Sequence, residues 1–177
     1  MGDKHIDAAV ISVLKSFEDL DDIHKYVLMS TATGMTARNL KDNIPYDSTT
    51  IRKGKAELRE ATGITSDYLL QASAIALGLI MGKNFDYPDA EFRITGIDEF
   101  IVERRGKGFN NAEIAEILDS YSEKDVKVAV TDIIQVLGLS NEDVFQAYAT
   151  WTVLRDRTEH FKEIYKPFNE DYLRRSA

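Results

Sequence analysis

The stretch that decides the fold is Gly108-Phe109-Asn110-Asn111-Ala112-Glu113-Ile114-Ala115-Glu116-Ile117-Leu118. Asn110 can cap a helix at its first residue, and Glu113 can reach back three positions to complete a capping box. The apolar residues on one face of this helix are Ile114, Ala115 and Leu118. Ser122 can cap a second helix, which Gly138 would end. The stretch therefore predicts two short capped helices that are joined by a tight turn.

Residues 108–138 resemble the helix-turn-helix of the LuxR and sigma-factor region-4 superfamily. In that superfamily a Gly, a capping residue and a Glu-Ile-Ala core precede a Ser-x-x-x-Val start to the recognition helix. Glu113-Ile114-Ala115 matches the core, Ser122-Glu123-Lys124-Asp125-Val126 matches the start, and Leu137-Gly138 matches the usual helix end. The resemblance implies an α-helical fold, and contact with duplex DNA through the exposed face of the recognition helix in a major groove.

The chain matches itself when it is shifted by 74 residues and, after one extra residue near the turn, by 75. The paired positions are glycine stops, helix caps and core positions, among them Ile23 with Ile97, Gly34 with Gly108, Leu40 with Ile114, Gly63 with Gly138, and Gln71 with Gln146. The first copy follows the motif more loosely, because Asn39-Leu40-Lys41 replaces the Glu-Ile-Ala core. The pattern predicts two related helix-turn-helix modules.

Helical periodicity continues on both sides of these modules and predicts an all-α protein. The expected organisation is an N-terminal amphipathic helix within residues 1–21, a first helix-turn-helix module at 22–82, a linker at 83–96, a second module at 97–166 and a tail at 167–177. In the first module, Ser48 or Thr49 would cap a helix that runs through Ala61. Near the C-terminus, the segment from Thr152 to Lys166 could form a dimerising helix that Pro167 ends.

Composition and charge narrow the class of protein. The chain has 177 residues, a net charge of −8 and no cysteine, which excludes disulfides and thiolate metal sites. We expect no membrane span, because no apolar run approaches about 20 residues. We also expect no secretory signal, because no basic region leads into an apolar stretch near the N-terminus. The expected location is the cytoplasm, or the nucleoid within it.

Charge distinguishes the two copies. Residues 34–63 carry a net charge of +2, whereas residues 108–138 carry −4. In the second helix of copy one, Ile51, Leu58 and Ala61 are expected to face inward. The residues predicted to contact duplex DNA, chiefly through phosphate and base donors, are Thr49, Arg52, Lys53 and Arg59, with Arg38 and Lys55 as supporting phosphate contacts. An ordinary solvated face with ion pairs remains the alternative for this helix.

The second copy is expected to have a structural or partner-binding role. The outer residues of its second helix carry mixed charge, and they are Glu123, Lys124, Lys127, Thr131 and Asp132. Phe145, Tyr148 and Trp151 follow at helical spacing and are expected in the core or at a helix interface. Because specific DNA sites are usually read by dimers, a homo-oligomer is expected.

No local catalytic signature is present, so the chain is read as a non-enzyme without cofactor or metal. Its histidines, His5, His24 and His160, are scattered, and His160 with Glu163 would supply half of one metal site at most. The leading prediction is a DNA-binding transcription regulator whose second module serves oligomerisation or a protein partner. The alternative is a helical adaptor that binds RNA polymerase or assembles with itself, as viral packaging subunits with such modules do.

Overall fold

The computed structural model describes residues 3–35, 46–85, 87–88, 94 and 96–175. Within those ranges the regular elements are helices and no strand is present, so the all-α prediction is confirmed. The helix expected between Thr36 and Pro45 lies outside the described residues. In chain order the helices are α1 Asp3–Ser16, α2 Asp22–Ala32, α3 Ser48–Thr62, α4 Asp67–Ile80, α5 Ile97–Gly106, α6 Asn111–Leu118, α7 Glu123–Leu137, α8 Glu142–Leu154, a short 3-10 turn Arg155–Arg157, and α9 Thr158–Arg175.

The predicted boundaries of the second helix-turn-helix are confirmed. Asn110 and Glu113 form the expected capping box at the start of α6. Ser122 caps α7, where Asp125 completes a second capping box. Gly138 ends α7 in the left-handed conformation at φ +69°, which glycine adopts without the steric cost that a side chain brings.

The structure corrects two details of α3. Its N-cap is Asp47 and not Ser48 or Thr49, because the Asp47 carboxylate accepts a hydrogen bond of 2.7 Å from the Thr50 backbone N–H. The last inward residue is Thr62, which is buried, whereas Ala61 is exposed.

The Asp47 cap predicts a dependence of stability on pH. Its hydrogen bonds with Thr50 favour the ionised form and hold the pKa of the carboxyl below its ordinary value. The contribution of the charged cap is therefore complete above the unfolded pKa and is lost as the pH falls through the folded pKa. In Asp47→Asn we expect a lower melting temperature at pH 7 and a difference from wild type that shrinks at about pH 2. Thermal melts followed by circular dichroism measure this, and a difference that stays constant with pH would contradict it.

Helices α1 to α4 form a first core with α9. The central element is α4, whose residues from Leu70 to Gly78 are all buried, and α1, α2, α8 and α9 pack around it. The amphipathic stripe predicted for α1 faces this core through residues that are at most 7% exposed, namely Ile6, Ala9, Val10, Val13 and Leu14. The N-terminal helix therefore belongs to the first core.

Helices α5 to α8 form a second core. Phe145 and Tyr148 are fully buried in it, and Trp151 is half-buried against both cores, as their helical spacing predicts. Helix α8 also packs against α4 of the first core. The two long helices of the two copies thus meet at the centre of the molecule.

The prediction for the C-terminal segment is wrong. No single helix covers Thr152 to Lys166, because α8 ends at Leu154 and a 3-10 turn separates it from α9. Pro167 lies inside α9, which continues to Arg175. Helix α9 packs within the same chain against α1 and α4, and its residue Phe161 is fully buried.

A half-buried carboxylate also holds α9 in place. Asp7 of α1 accepts hydrogen bonds from Arg157 at 2.8 Å and from the His160 ring at 3.0 Å. His160 therefore serves as a partner of Asp7. Among the described residues, no group of three potential metal ligands comes together.

Equivalent contacts recur at positions that are 74 or 75 residues apart. The Gln71 side-chain amide donates to the Thr31 carbonyl at 3.2 Å, and the Gln146 amide donates to the Arg105 carbonyl at 2.7 Å. The helix-ending glycines of the two copies, Gly63 and Gly138, adopt φ of +67° and +69°. Such recurrence is expected of a duplicated unit.

Candidate nucleic-acid interface and the cleft beside it

The solvent-facing side of α3 carries the predicted DNA contacts of the first copy. Ile51 and Leu58 are buried, as expected, and Gly54 lies against Ile23 and Val27 of α2. This packing turns the opposite side of the helix to solvent. The exposed residues on that side are Thr49, Arg52, Lys53 and Ala56, with Glu60 further along.

Ion pairs hold three of the predicted cations. Lys53 lies 3.4 Å from Glu57 on the surface, and Lys55 lies 2.8 Å from Asp67. Arg59 also pairs with Asp67. Burial of Asp67 would raise its pKa, but the hydrogen bonds and charges of Lys55 and Arg59 outweigh burial and keep the pKa below its ordinary value.

These pairs separate the predicted site residues into groups. Thr49, Arg52 and Lys53 lie together on the open face of α3, and within the described residues Arg52 has no ion-pair partner. The prediction that Arg59 lies on this outer face is wrong, because its side chain is half-buried beside Asp67. Lys55 lies at the edge of a cleft, and Arg38 falls outside the described residues.

The cleft has a volume of about 520 Å³ and lies between α3 and the second core. A volume of this size is in the range of small-molecule sites. Its cationic lining residues come from both copies. They are Arg52 and Lys55 of α3 and Arg105 of α5.

Arg105 is the most enclosed of these cations, with a side chain that is only 12% exposed. One of its terminal nitrogens donates to Glu142 at 3.0 Å, whereas its Nε–H is buried and has no acceptor in the described structure. Burial lowers the pKa of Arg105, and the charge of Glu142 opposes this shift. A guanidinium that is buried with a free donor is equipped to receive an anion.

The two copies approach each other reciprocally at this cleft. Gly34 of the first copy, at φ +69°, lies so close to the second that an added Cβ would be 2.4 Å from the Asp143 carbonyl oxygen. Gly108, the repeat partner of Gly34, lies against the Tyr68 ring of the first copy. Tyr68 and Asp143 are themselves 75 residues apart, so the contacts match as they do across a twofold interface.

Sequence reasoning missed the cleft and Arg105. One signal was present, because Arg104, Arg105 and Lys107 form a basic run at the end of α5 in an otherwise acidic second half. The repeat alignment hid its meaning, since the first copy has Thr31 in place of Arg105. Only the packing of α5 beside α3 shows that this run and the basic face of copy one share a surface.

The outer face of α7 differs from that of α3. Its predicted outer residues are all exposed, and they are Glu123, Lys124, Lys127, Thr131 and Asp132. Val128 and Val136 on the same helix are also 52% and 51% exposed. Together with exposed Ile117 and Tyr121, they give the second module an apolar surface that the first module lacks on α3.

No family model matches the chain, and comparison with curated proteins and with solved structures also gives no match. In the described ranges, no single helix is both long and apolar enough to cross a membrane. The bent pair α3 and α4, at 83° to each other, meets the length and composition criteria only when taken together.

Proposed function

We propose that the chain is a non-catalytic DNA-binding protein of transcription control, built from two related helix-turn-helix modules. The first module binds duplex DNA through α3, and the second serves oligomerisation or a protein partner. The observation that carries the proposal is the composition of the N-terminal half of α3. It holds exposed Arg52 and Lys53, hydroxyl residues at its start, and no acidic residue before Glu57.

This half of the helix has the chemistry that a duplex requires. Recognition helices contact base edges and phosphates mainly through their N-terminal residues. Arginine, lysine and hydroxyl side chains supply the donors, and the helix N-terminus adds backbone N–H groups that favour anions. The ion pair of Lys53 with Glu57 does not oppose binding strongly, because an exposed pair is worth about 0–1 kcal/mol and can exchange its carboxylate for a phosphate.

The test is fluorescence anisotropy of a labelled random-sequence duplex, titrated with protein at two salt concentrations. We expect binding that weakens steeply with salt, and loss of affinity by at least about 100-fold in Arg52→Glu/Lys53→Glu, because each lost contact is replaced by repulsion. The matched control is Lys124→Glu/Lys127→Glu, which makes the same charge change on exposed residues of α7. That control is expected to keep most of the affinity.

Two results would contradict the proposal. One is the absence of binding even at low salt. The other is an equal loss of affinity in the α3 and α7 double variants, since general charge repulsion, and not contact by α3, would then explain the effect.

A helical adaptor that binds protein is the second candidate, and the exposed apolar residues of the second module favour it. A partner that covers Val128 and Val136 would carry an apolar strip and basic flanks, because their neighbours include Asp132 and Glu123. Under this alternative, self-association or partner capture should decrease in Val128→Asp/Val136→Asp, while duplex binding is absent from the start. Sedimentation velocity of both proteins measures the self-association.

A further inference from the structure

The cleft between the copies combines three kinds of chemistry. Its cations are Arg52, Lys55 and Arg105, of which Arg52 has no ion-pair partner in the described residues and Arg105 has a buried Nε–H without an acceptor. Lys55 is already paired, at 2.8 Å, with Asp67. The free donors of the two arginines match the oxygens of a phosphate group, which arginine binds through parallel N–H groups.

Aromatic side chains line the same cleft. Tyr68 is anchored by its hydroxyl, which donates to the Gly106 carbonyl at 3.0 Å. Phe109 is half-buried, and the Arg104 guanidinium lies 5.7 Å from its ring centre. Rings that are held in place in this way offer stacking surface to a planar ligand, and stacking of a base on an aromatic side chain contributes about 1–3 kcal/mol.

Carboxylates complete the lining. Asp67 and Asp143 both line the cleft, so its charge is not uniformly positive. A simple anion would gain nothing from them. A ligand that carries hydroxyl or N–H donors in addition to a phosphate would, since carboxylates accept from ribose hydroxyls and from the N–H groups of bases.

We propose that this cleft binds a nucleoside phosphate. Arg52 and Arg105 bind the phosphate, Tyr68 and Phe109 contact the base, and Asp143 accepts hydrogen bonds from ribose or base. The volume of about 520 Å³ accommodates a ligand of this size.

The site needs both copies and is not repeated within either. The repeat partner of Arg105 is Thr31, which cannot supply a cation. The repeat partner of Arg52 is Lys127, which lies on the exposed face of α7 and is not among the residues that line the cleft. Divergence between the copies has therefore left one composite site at their interface.

The proposal does not depend on DNA binding. Lys53 lies on the open face of α3 and does not line the cleft, so Lys53→Gln should weaken duplex binding and leave nucleotide binding unchanged. Arg105 lines the cleft and is largely enclosed, so Arg105→Gln should have the opposite profile. These two variants distinguish failure of one proposal from failure of the other.

The experiment is isothermal titration calorimetry of the full chain with ADP, adenosine and pyrophosphate in a phosphate-free buffer of low ionic strength. We expect one ADP per chain, with adenosine and pyrophosphate each weaker, because each makes only part of the contacts. Arg52→Gln and Arg105→Gln should each weaken ADP binding by about tenfold or more, the typical effect of removing a hydrogen bond to a charged group. Lys127→Gln is the matched control and should bind ADP as the wild type does.

Several outcomes would overturn the proposal. They are no detectable heat with ADP at millimolar concentration, adenosine binding as tightly as ADP, and ADP affinity that is unchanged in Arg52→Gln. Circular dichroism checks that each variant is folded. If Arg105→Gln fails to fold, Arg52→Gln still decides the matter, because Arg52 is exposed and has no structural ion pair among the described residues.

Discussion

Replacing Gly34 with alanine is expected to lower the free energy of unfolding by about 2–5 kcal/mol. Two costs add at this position. The backbone has φ of +69°, a left-handed conformation that costs an L-residue about 1–2 kcal/mol. The new Cβ would also lie 2.4 Å from the Asp143 carbonyl oxygen and 2.7 Å from the Val144 Cα, so backbone of the second copy has to move.

Gly63→Ala is the matched control for this change. Gly63 has φ of +67°, but an added Cβ there meets nothing within 4 Å. Its substitution therefore carries the conformational cost alone, about 1–2 kcal/mol. Urea unfolding of both variants isolates the contribution of the contact between copies. Equal losses would show that α8 does not press on Gly34 as the structure has it.

The second large effect is expected at α9, where Phe161→Ala should cost about 3–5 kcal/mol, the usual loss when a fully buried phenylalanine is truncated. Phe161 is completely enclosed and packs with the first core. Glu163→Ala is the control on the same helix, because Glu163 is exposed and its ion pair with Lys166, at 3.9 Å, is weak.

Urea unfolding measures both α9 variants, and size-exclusion chromatography of the same proteins reports their association state. A loss below about 1 kcal/mol for Phe161→Ala would contradict the packing of α9 within its own chain and would favour a free helix that dimerises. Unfolding that depends on protein concentration would point to the same conclusion.

Local sequence signals predicted most of the helix boundaries. The capping box of Asn110 with Glu113 and the left-handed stops at Gly63 and Gly138 depend on interactions within a few residues, so a reader of the sequence can identify them. The errors arose where several residues compete for one role. At the start of α3, Asp47 displaced the neighbouring Ser48 and Thr49 as cap, because its carboxylate reaches the Thr50 N–H.

The end of α9 shows a different limit. Proline inside a helix is costly, so Pro167 predicted a stop. Helix α9 nevertheless continues to Arg175, and its packing against α1 and α4 before the proline holds it in place. That packing joins residues more than 80 positions apart, and local propensity carries no information about it.

The amino-acid sequence by itself determined that this protein is helical, where most of its helices begin and end, which residues of α3 face outward, and that its basic charge is concentrated in the first copy. These properties follow from periodicity and capping, which act over one or two helical turns. Tertiary structure alone decided that α4 and α8 meet at the centre and that Arg105 joins Arg52 and Lys55 around one cleft. The physical reason is that a cleft arises from how two separately patterned surfaces approach, and that approach depends on close contacts such as Gly34 with Asp143, which lie 109 positions apart in the chain.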